Sequence, residues 1–357
     1  MMEIKKIFTF ITVLLVHFCL LAQNQDTIDP DKKTDWWDDI DGFMNQQAKI
    51  TLGLVNEALN IDPPAIQESL MRKMALTMID NVMHDEKAAY RPAVQQFFQI
   101  RIKNAIEEIT KKKVTEGAVI WKMYNHSFVI KTSSITIGFD IQRGLRNVEG
   151  FTLSKDLMEK LVDAVDILFI THIHGDHADE LVAEMFLTKN KPVVTSPDIF
   201  VKSPVYQKIL HPERKPHEKQ EIYLPNKGFS IKAVIYPGHQ GEKILNNVYL
   251  VFSPEGMAFS HTGDQSNVND FEWIDKIGDF FTVDVVMTNS WATYPELRLA
   301  RGYRPKLIIA GHENEMGHTI DHREPYWLNY PRLGDKTTFP WIQMVMGEKY
   351  HYLTRKN

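Results

Sequence analysis

Two textures in one chain predict an α+β protein. From residue 23 to about Lys113 the apolar residues recur at helical spacing, and after Glu116-Gly117 short β-rich runs separated by turns take over. A third observation bounds the class. With 357 residues, 43% hydrophobic and 24% charged, the chain can bury a sizeable core without staples, which excludes disordered, collagen-like and disulfide-framework architectures. The expected division is a signal peptide over 1–22, a helical region over 23–115 and a strand-rich domain over 116–357.

The elements follow in order. Lys5 and Lys6 precede an apolar run over 7–21 that closes on Ala22, the pattern of a secretory signal cleaved after that alanine. The run is short of the roughly 20 residues that span a bilayer and contains Thr9, Thr12 and His17, so stable membrane insertion is not expected. A secreted or periplasmic location follows. Cys19 is the only cysteine, and Phe18 stands before it where lipid-anchoring signals carry a small side chain. Once 1–22 is removed no thiol remains, which excludes disulfides, cysteine-held zinc and a thiolate nucleophile.

Thr34 or Asp35 can cap a first helix running to about Leu59, and Asp62-Pro63-Pro64 is a start signal for a second with Leu70, Met74, Met78 and Val82 on its apolar face. A third starts near Pro92 and carries Val94, Phe97, Phe98, Ile102, Ala105, Ile106 and Ile109 as a core stripe. Lys111-Lys112-Lys113 reads as its dipole-complementing C-terminal turn. Strands are predicted over 127–131, 135–139, 167–170, 193–194, 231–235, 248–252, 257–259, 283–287 and 307–310, with helices over 154–165, 177–187 and 271–277. The net charge of −5 gives no general attraction to phosphate backbones, so nucleic acid is not an expected partner and a small-molecule substrate is.

The chemistry concentrates after the 167–170 strand, in Thr171-His172-Ile173-His174-Gly175-Asp176-His177. A strand end running into a loop presents ligands, Gly175 permits a tight turn, and imidazole with carboxylate suits zinc and other first-row divalent ions. Further candidates each follow a predicted strand and a glycine: His239 in Pro237-Gly238-His239, Asp264 in Thr262-Gly263-Asp264, and His312 in Ala310-Gly311-His312. His318 and His322 lie close behind His312 and leave the last ligand open; His312 is preferred because it comes straight off a strand. His261 and His126 are further candidates near the site, each with a plain packing role as the alternative.

A strand, HxHxDH, then His, Gly-Asp and Gly-His in that order resembles the metallo-β-lactamase superfamily, over about residue 118 to the C-terminus. The resemblance implies a four-layer αββα sandwich with two divalent metal ions at one edge, most often zinc, with iron or manganese as alternatives. It also implies the ligands: His172, His174 and His239 on one metal, Asp176, His177 and His312 on the other, and Asp264 bridging. Asp140, ending the 135–139 run, matches the early Asp that supports the metal loop. The implied reaction is hydrolysis of an ester, lactone or phosphodiester by a metal-bound hydroxide that Asp176 orients. The mature chain lacks the cysteine ligand of the commonest true β-lactamases, so it resembles the bridging-Asp hydrolases of the superfamily, and antibiotic hydrolysis is not expected. The rival reading is a metal-binding scaffold of the same fold without catalysis.

Overall fold

The computed structural model describes residues 38–226, 228–291, 298–334 and 336–354. The expected signal at 1–22 and the expected caps Thr34 and Asp35 lie outside the described residues. The chain forms two compact units, Met1–Gln47 and Ala48–Asn357. In the first, the described residues open helix α1 (Ile40–Ile61), where Asp39 Oδ1 accepts from the Gly42 amide at 2.8 Å. Among the described residues no helix is long and apolar enough to cross a membrane.

The second unit contains the rest of α1, then α2 (Leu70–Met83) and α3 (Pro92–Lys111). Helix α3 matches expectation: proline sits in its first turn, the predicted stripe is buried, and Lys111 lies in the last turn. Helix α2 departs from it twice. The chain does not turn helical at Pro63 but at Leu70, because Ser69 caps the helix by accepting from the Arg72 amide at 3.1 Å. Its buried face is also not the predicted one. Leu70 and Met74 are exposed, and Arg72, Ala75, Leu76, Ile79, Asp80 and Met83 point inward. The two buried ions explain the rotation. Arg72 donates to both carboxylate oxygens of Glu348 and to the Gln343 carbonyl, and Asp80 accepts from Asn314, Tyr326 and Trp327. A paired cation such as Arg72 and a carboxyl satisfied by three donors such as Asp80 can go inside at helix positions that hydrophobicity alone would leave in water.

From Ala118 onward the strands form two sheets. The first contains β1 (Ala118–Lys122), β2 (Phe128–Lys131), β3 (Thr136–Phe139), β4 (Ile167–Phe169), β5 (Val193–Val194) and β13 (Lys349–Tyr352), in the order β13-β1-β2-β3-β4-β5. The second contains β6 (Gln220–Asn226), β7 (Phe229–Gln240), β8 (Ile244–Phe252), β9 (Ala258–His261), β10 (Val285–Asn289), β11 (Leu307–Gly311) and β12 (Trp341–Gln343), in the order β12-β11-β10-β9-β8-β7-β6. Helices α4 (Lys155–Ala164) and α5 (Glu180–Thr188) follow β3 and β4, and α6 (Phe271–Ile274), α7 (Ile277–Phe280) and α8 (Arg298–Tyr303) lie between β9 and β11.

Alternation along the strands sorts side chains into three cores. Ile120, Phe128, Ile137 and Phe169 of the first sheet meet Ile235, Tyr249, Phe259 and Ile309 of the second. Their neighbours in sequence face outward: Trp121, Val129 and Leu168 pack beneath α1–α5, and Val234, Leu250, Val286 and Ile308 beneath α6–α8. Strands covered on both faces read as unbroken apolar runs. The result is the four-layer αββα arrangement expected above, with the N-terminal helices as part of one outer layer.

Candidate metal centre

Strand direction assembles the site. β3 and β4 are parallel, as are β9, β10 and β11, so their C-terminal ends gather at one edge, where ligand-bearing loops of α/β sheets are presented. Asp140 follows β3, the His172 to His177 loop follows β4, Asp264 follows β9 and His312 follows β11. Two preceding glycines are there for space. A Cβ on Gly263 would lie 2.3 Å from Asn246 Oδ1 and 2.6 Å from Thr171 Cβ, and one on Gly311 would lie 2.3 Å from His126 Cδ2.

Asp140, fully buried at φ 48°, organises the loop. Its Oδ1 accepts from the Thr171 amide at 2.7 Å, and its Oδ2 accepts from Thr171 Oγ1 and pairs with His177 Nδ1, each at 2.7 Å. Holding Nδ1 in this way leaves His177 Nε2 as the free ring nitrogen, the arrangement that prepares an imidazole for a metal. Thr171 Oγ1 contacts His172 Nδ1 at 3.0 Å, which likewise leaves Nε2 outward.

The predicted residues then converge around Asp264. His172 Nε2 and His312 Nε2 each lie 3.5 Å from its Oδ2, and His177 Nε2 lies 3.5 Å from its Oδ1. Asp176 Oδ2 is 3.3 Å from His177 Nε2 and 3.2 Å from His312 Nε2. Candidate donor atoms fall within 4.8 Å of one another in three triads: His172, His174 and Asp264; Asp176, His177 and His312; and His126, His177 and Asp264. His239 belongs to none of these among the described residues. At the end of β7 its Nδ1 instead meets Asp270 at 3.0 Å. His318 stacks on His312 with ring centroids 5.6 Å apart, and His322 is exposed.

Several groups that hold this cluster carried no signal in the sequence. Asn125 donates to Asp176 Oδ2 at 2.9 Å, Asn289 to Asp264 Oδ1 at 2.7 Å and Gln240 to Asp264 Oδ2 at 3.1 Å. Asn246 accepts from the Asp264 amide at 3.0 Å. Each is a neutral polar residue, and only adjacency to a flagged histidine or strand end could have marked it. His261 is satisfied, bonding the His126 carbonyl through Nε2 and the Gly263 amide through Nδ1.

The charge balance suits cations. Burial opposes ionisation of Asp264 and Asp176, yet the neighbouring imidazoles hold both well below the usual carboxylate range. Burial opposes the His312 imidazolium, and Asp264 and Asp176 overcome it and raise the group to about 10. Burial, with the charge of His177, lowers His172 to about 3. The fit to metal is direct: Nε2 of His172, His177 and His312 is buried without a well-formed hydrogen bond, beside carboxylates that hold their charge. Such donors are expected to have a partner.

Hydrolases stand among the structural neighbours. The chain is similar to a metallo hydrolase from the archaeon Ignicoccus hospitalis, with 15% identity and a TM-score of 0.49 over 67% of this chain and 99% of that one. It is similar to an isothiocyanate hydrolase from Delia radicum gut bacteria, with 14% identity and a TM-score of 0.48 over 66% and 99%. It is also similar to a Thermotoga maritima protein assigned as a Zn-dependent hydrolase of the metallo-β-lactamase superfamily, with 15% identity and a TM-score of 0.30 over 55% and 76%. No family model and no curated protein matches the sequence. A likeness at such identities and TM-scores carries no reaction over, so the chemistry rests on this chain's own residues.

Beside the cluster lies a cavity of about 390 Å³ lined by Tyr124, Gln142, Arg146, Asn147, Asp176, Glu315 and His318, among others. Burial and the Asp176 charge push Glu315 up to about 7, and its carboxylate accepts from Tyr124 Oη. Arg146 Nη2 donates to the Gly175 carbonyl at 3.3 Å. A larger hollow of about 660 Å³, lined by Ile66, Glu68, Lys73, Tyr330 and Trp341, contains none of the clustered residues.

Proposed function

We propose that the chain is a binuclear metal-dependent hydrolase of the bridging-Asp type that cleaves an ester, lactone or phosphodiester bond of a small molecule. The observation that carries this reading is Asp264, whose two oxygens each lie 3.5 Å from imidazole nitrogens of different histidines. His172, His174 and His239 would hold one ion, Asp176, His177 and His312 the other, with Asp264 shared and zinc best suited to the donor set. Asp270 meets His239 Nδ1, which leaves Nε2 as the nitrogen His239 would contribute. When bound, such a pair acidifies water and polarises the scissile bond.

The chain's residues do the rest. Asp176, fixed by Asn125, stands between the cluster and the cavity, where its carboxylate, held in the charged form by the neighbouring imidazoles, can orient water. Asn289 and Gln240 hold Asp264 so that both oxygens keep their aim. Arg146 places a cation at the cavity, which favours substrates with an anionic group. The basic, apolar and small-residue pattern of 1–22 supports export and cleavage after Ala22.

Alanine at Asp264 or His177 tests the reading. Turnover of a generic lactone or phosphodiester should vanish while circular dichroism stays native, and unchanged turnover in either variant would overturn it.

A further inference from the structure

His126 lies in the turn between β1 and β2, outside the HxHxDH loop and outside the ligand set assigned above. β1 runs parallel to β3 through the antiparallel β1-β2-β3 pairing, so this turn reaches the same edge as Asp140. Its imidazole is fully buried, and neither Nδ1 nor Nε2 has a hydrogen-bond partner among the described residues. A buried imidazole with both nitrogens unpartnered is a costly arrangement that needs a reason.

The surroundings supply one. His126 Nδ1 stands 3.9 Å from Asp264 Oδ1, and donor atoms of His126, His177 and Asp264 fall within 4.8 Å of one another. The backbone is built to keep it there. His261 Nε2 bonds the His126 carbonyl at 2.8 Å, the ring packs 4.2 Å from the ring of His261, and Gly311 leaves the space that a Cβ would take. The preceding Asn125, at φ 56°, is the residue that holds Asp176.

We infer that His126 is a further metal ligand, completing the inner side of the second metal position with His177 and Asp264. The inference rests on the binuclear reading above and adds a donor to it. If His126 were only a packed ring, phenylalanine would serve as well, because its neighbours Phe128 and His261 are aromatic and the ring is fully buried.

The test is Co(II) titration of the metal-free protein, wild type against His126→Phe and His126→Ala, following the cobalt ligand-field bands and competition with a chromophoric chelator. The phenylalanine variant keeps the ring volume and, with native circular dichroism, isolates the nitrogen. Loss of at least about 100-fold in affinity for one cobalt equivalent, with an altered band intensity for that equivalent, is expected. Wild-type affinity and an unchanged spectrum in His126→Phe would overturn the inference while leaving the centre intact. Failure of the wild-type chain to bind cobalt would instead overturn the binuclear reading. Should both variants unfold, ring N–H resonances of Co(II)-bound wild-type protein decide: a hyperfine-shifted imidazole beyond those of His172, His174, His177, His239 and His312 supports the inference, and its absence refutes it.

Discussion

Replacing Asp140 by asparagine changes one atom and should disable the metal loop. Asp140 accepts from the Thr171 amide through Oδ1, and through Oδ2 it accepts from Thr171 Oγ1 and pairs with His177 Nδ1, all at 2.7 Å and with no exposure to water. An asparagine amide in the Oδ2 position presents N–H to His177 Nδ1. The imidazole must then accept there and carry its proton on Nε2, which removes the lone pair a metal needs. The other amide orientation sets a donor against the Thr171 N–H, which leaves a buried clash of donors. Backbone strain does not confuse the result, since φ is 48° and asparagine tolerates the left-handed region. Loss of such a supporting carboxylate costs about 10- to 100-fold in metal affinity. Chelator competition on metal-free protein measures this, and ¹⁵N spectra of the histidine rings in the metal-loaded protein report which nitrogen carries the proton. Affinity within about twofold of wild type, with the His177 proton still on Nδ1, would refute the reasoning.

Other outcomes follow from the same structure. His312 is raised to about 10 by Asp264 and Asp176 against the cost of burial, so it carries a proton in the metal-free chain at neutral pH, and against the same cost Asp264, Asp176 and Asp140 raise His177. Metal uptake should therefore release protons, His312 giving up one, read by calorimetry in buffers of different ionisation enthalpy, and affinity should fall as pH falls. In the metal-free protein the stabilisation from a raised His312 is complete below about pH 6.5 and is lost as pH rises through about 10, so denaturation midpoints should drop over that interval. Asp80→Ala strands the donors of Asn314, Tyr326 and Trp327. It should cost about 3 kcal/mol or more in urea denaturation, and unchanged stability would contradict the proposed tie between α2 and the loop after His312. Arg146→Ala should raise KM for anionic substrates with little change in kcat and leave neutral analogues unaffected; equal effects on both would show that the guanidinium does not select charge.

Strand ends and histidines were legible because periodicity and glycine placement are local properties. Each of His172, Asp264 and His312 follows a run of apolar residues that becomes a strand, and parallel pairing then brings those ends together. The face of α2 was not legible, because it depends on Glu348 and Asn314, 276 and 234 residues away in sequence from Arg72 and Asp80. The same holds for Asn125, Gln240 and Asn289, whose value lies in where folding places a neutral amide. His126 is intermediate: its sequence position suggested the cleft, and only the packing shows two unpartnered nitrogens beside Asp264. The role of the N-terminal helices also depended on tertiary contact. From Ala48 onward they share a core with the outer face of the first sheet, and α3 braces the 142–152 loop through Gln95 and Gln99.

Metal content measured together with turnover tests the central claim most directly. Protein purified without chelator should contain two divalent ions per chain by mass spectrometry, lose hydrolysis of a generic lactone or phosphodiester on chelation, and regain it when metal is restored. Metal well below one ion per chain, or turnover that survives its complete removal, would contradict the account.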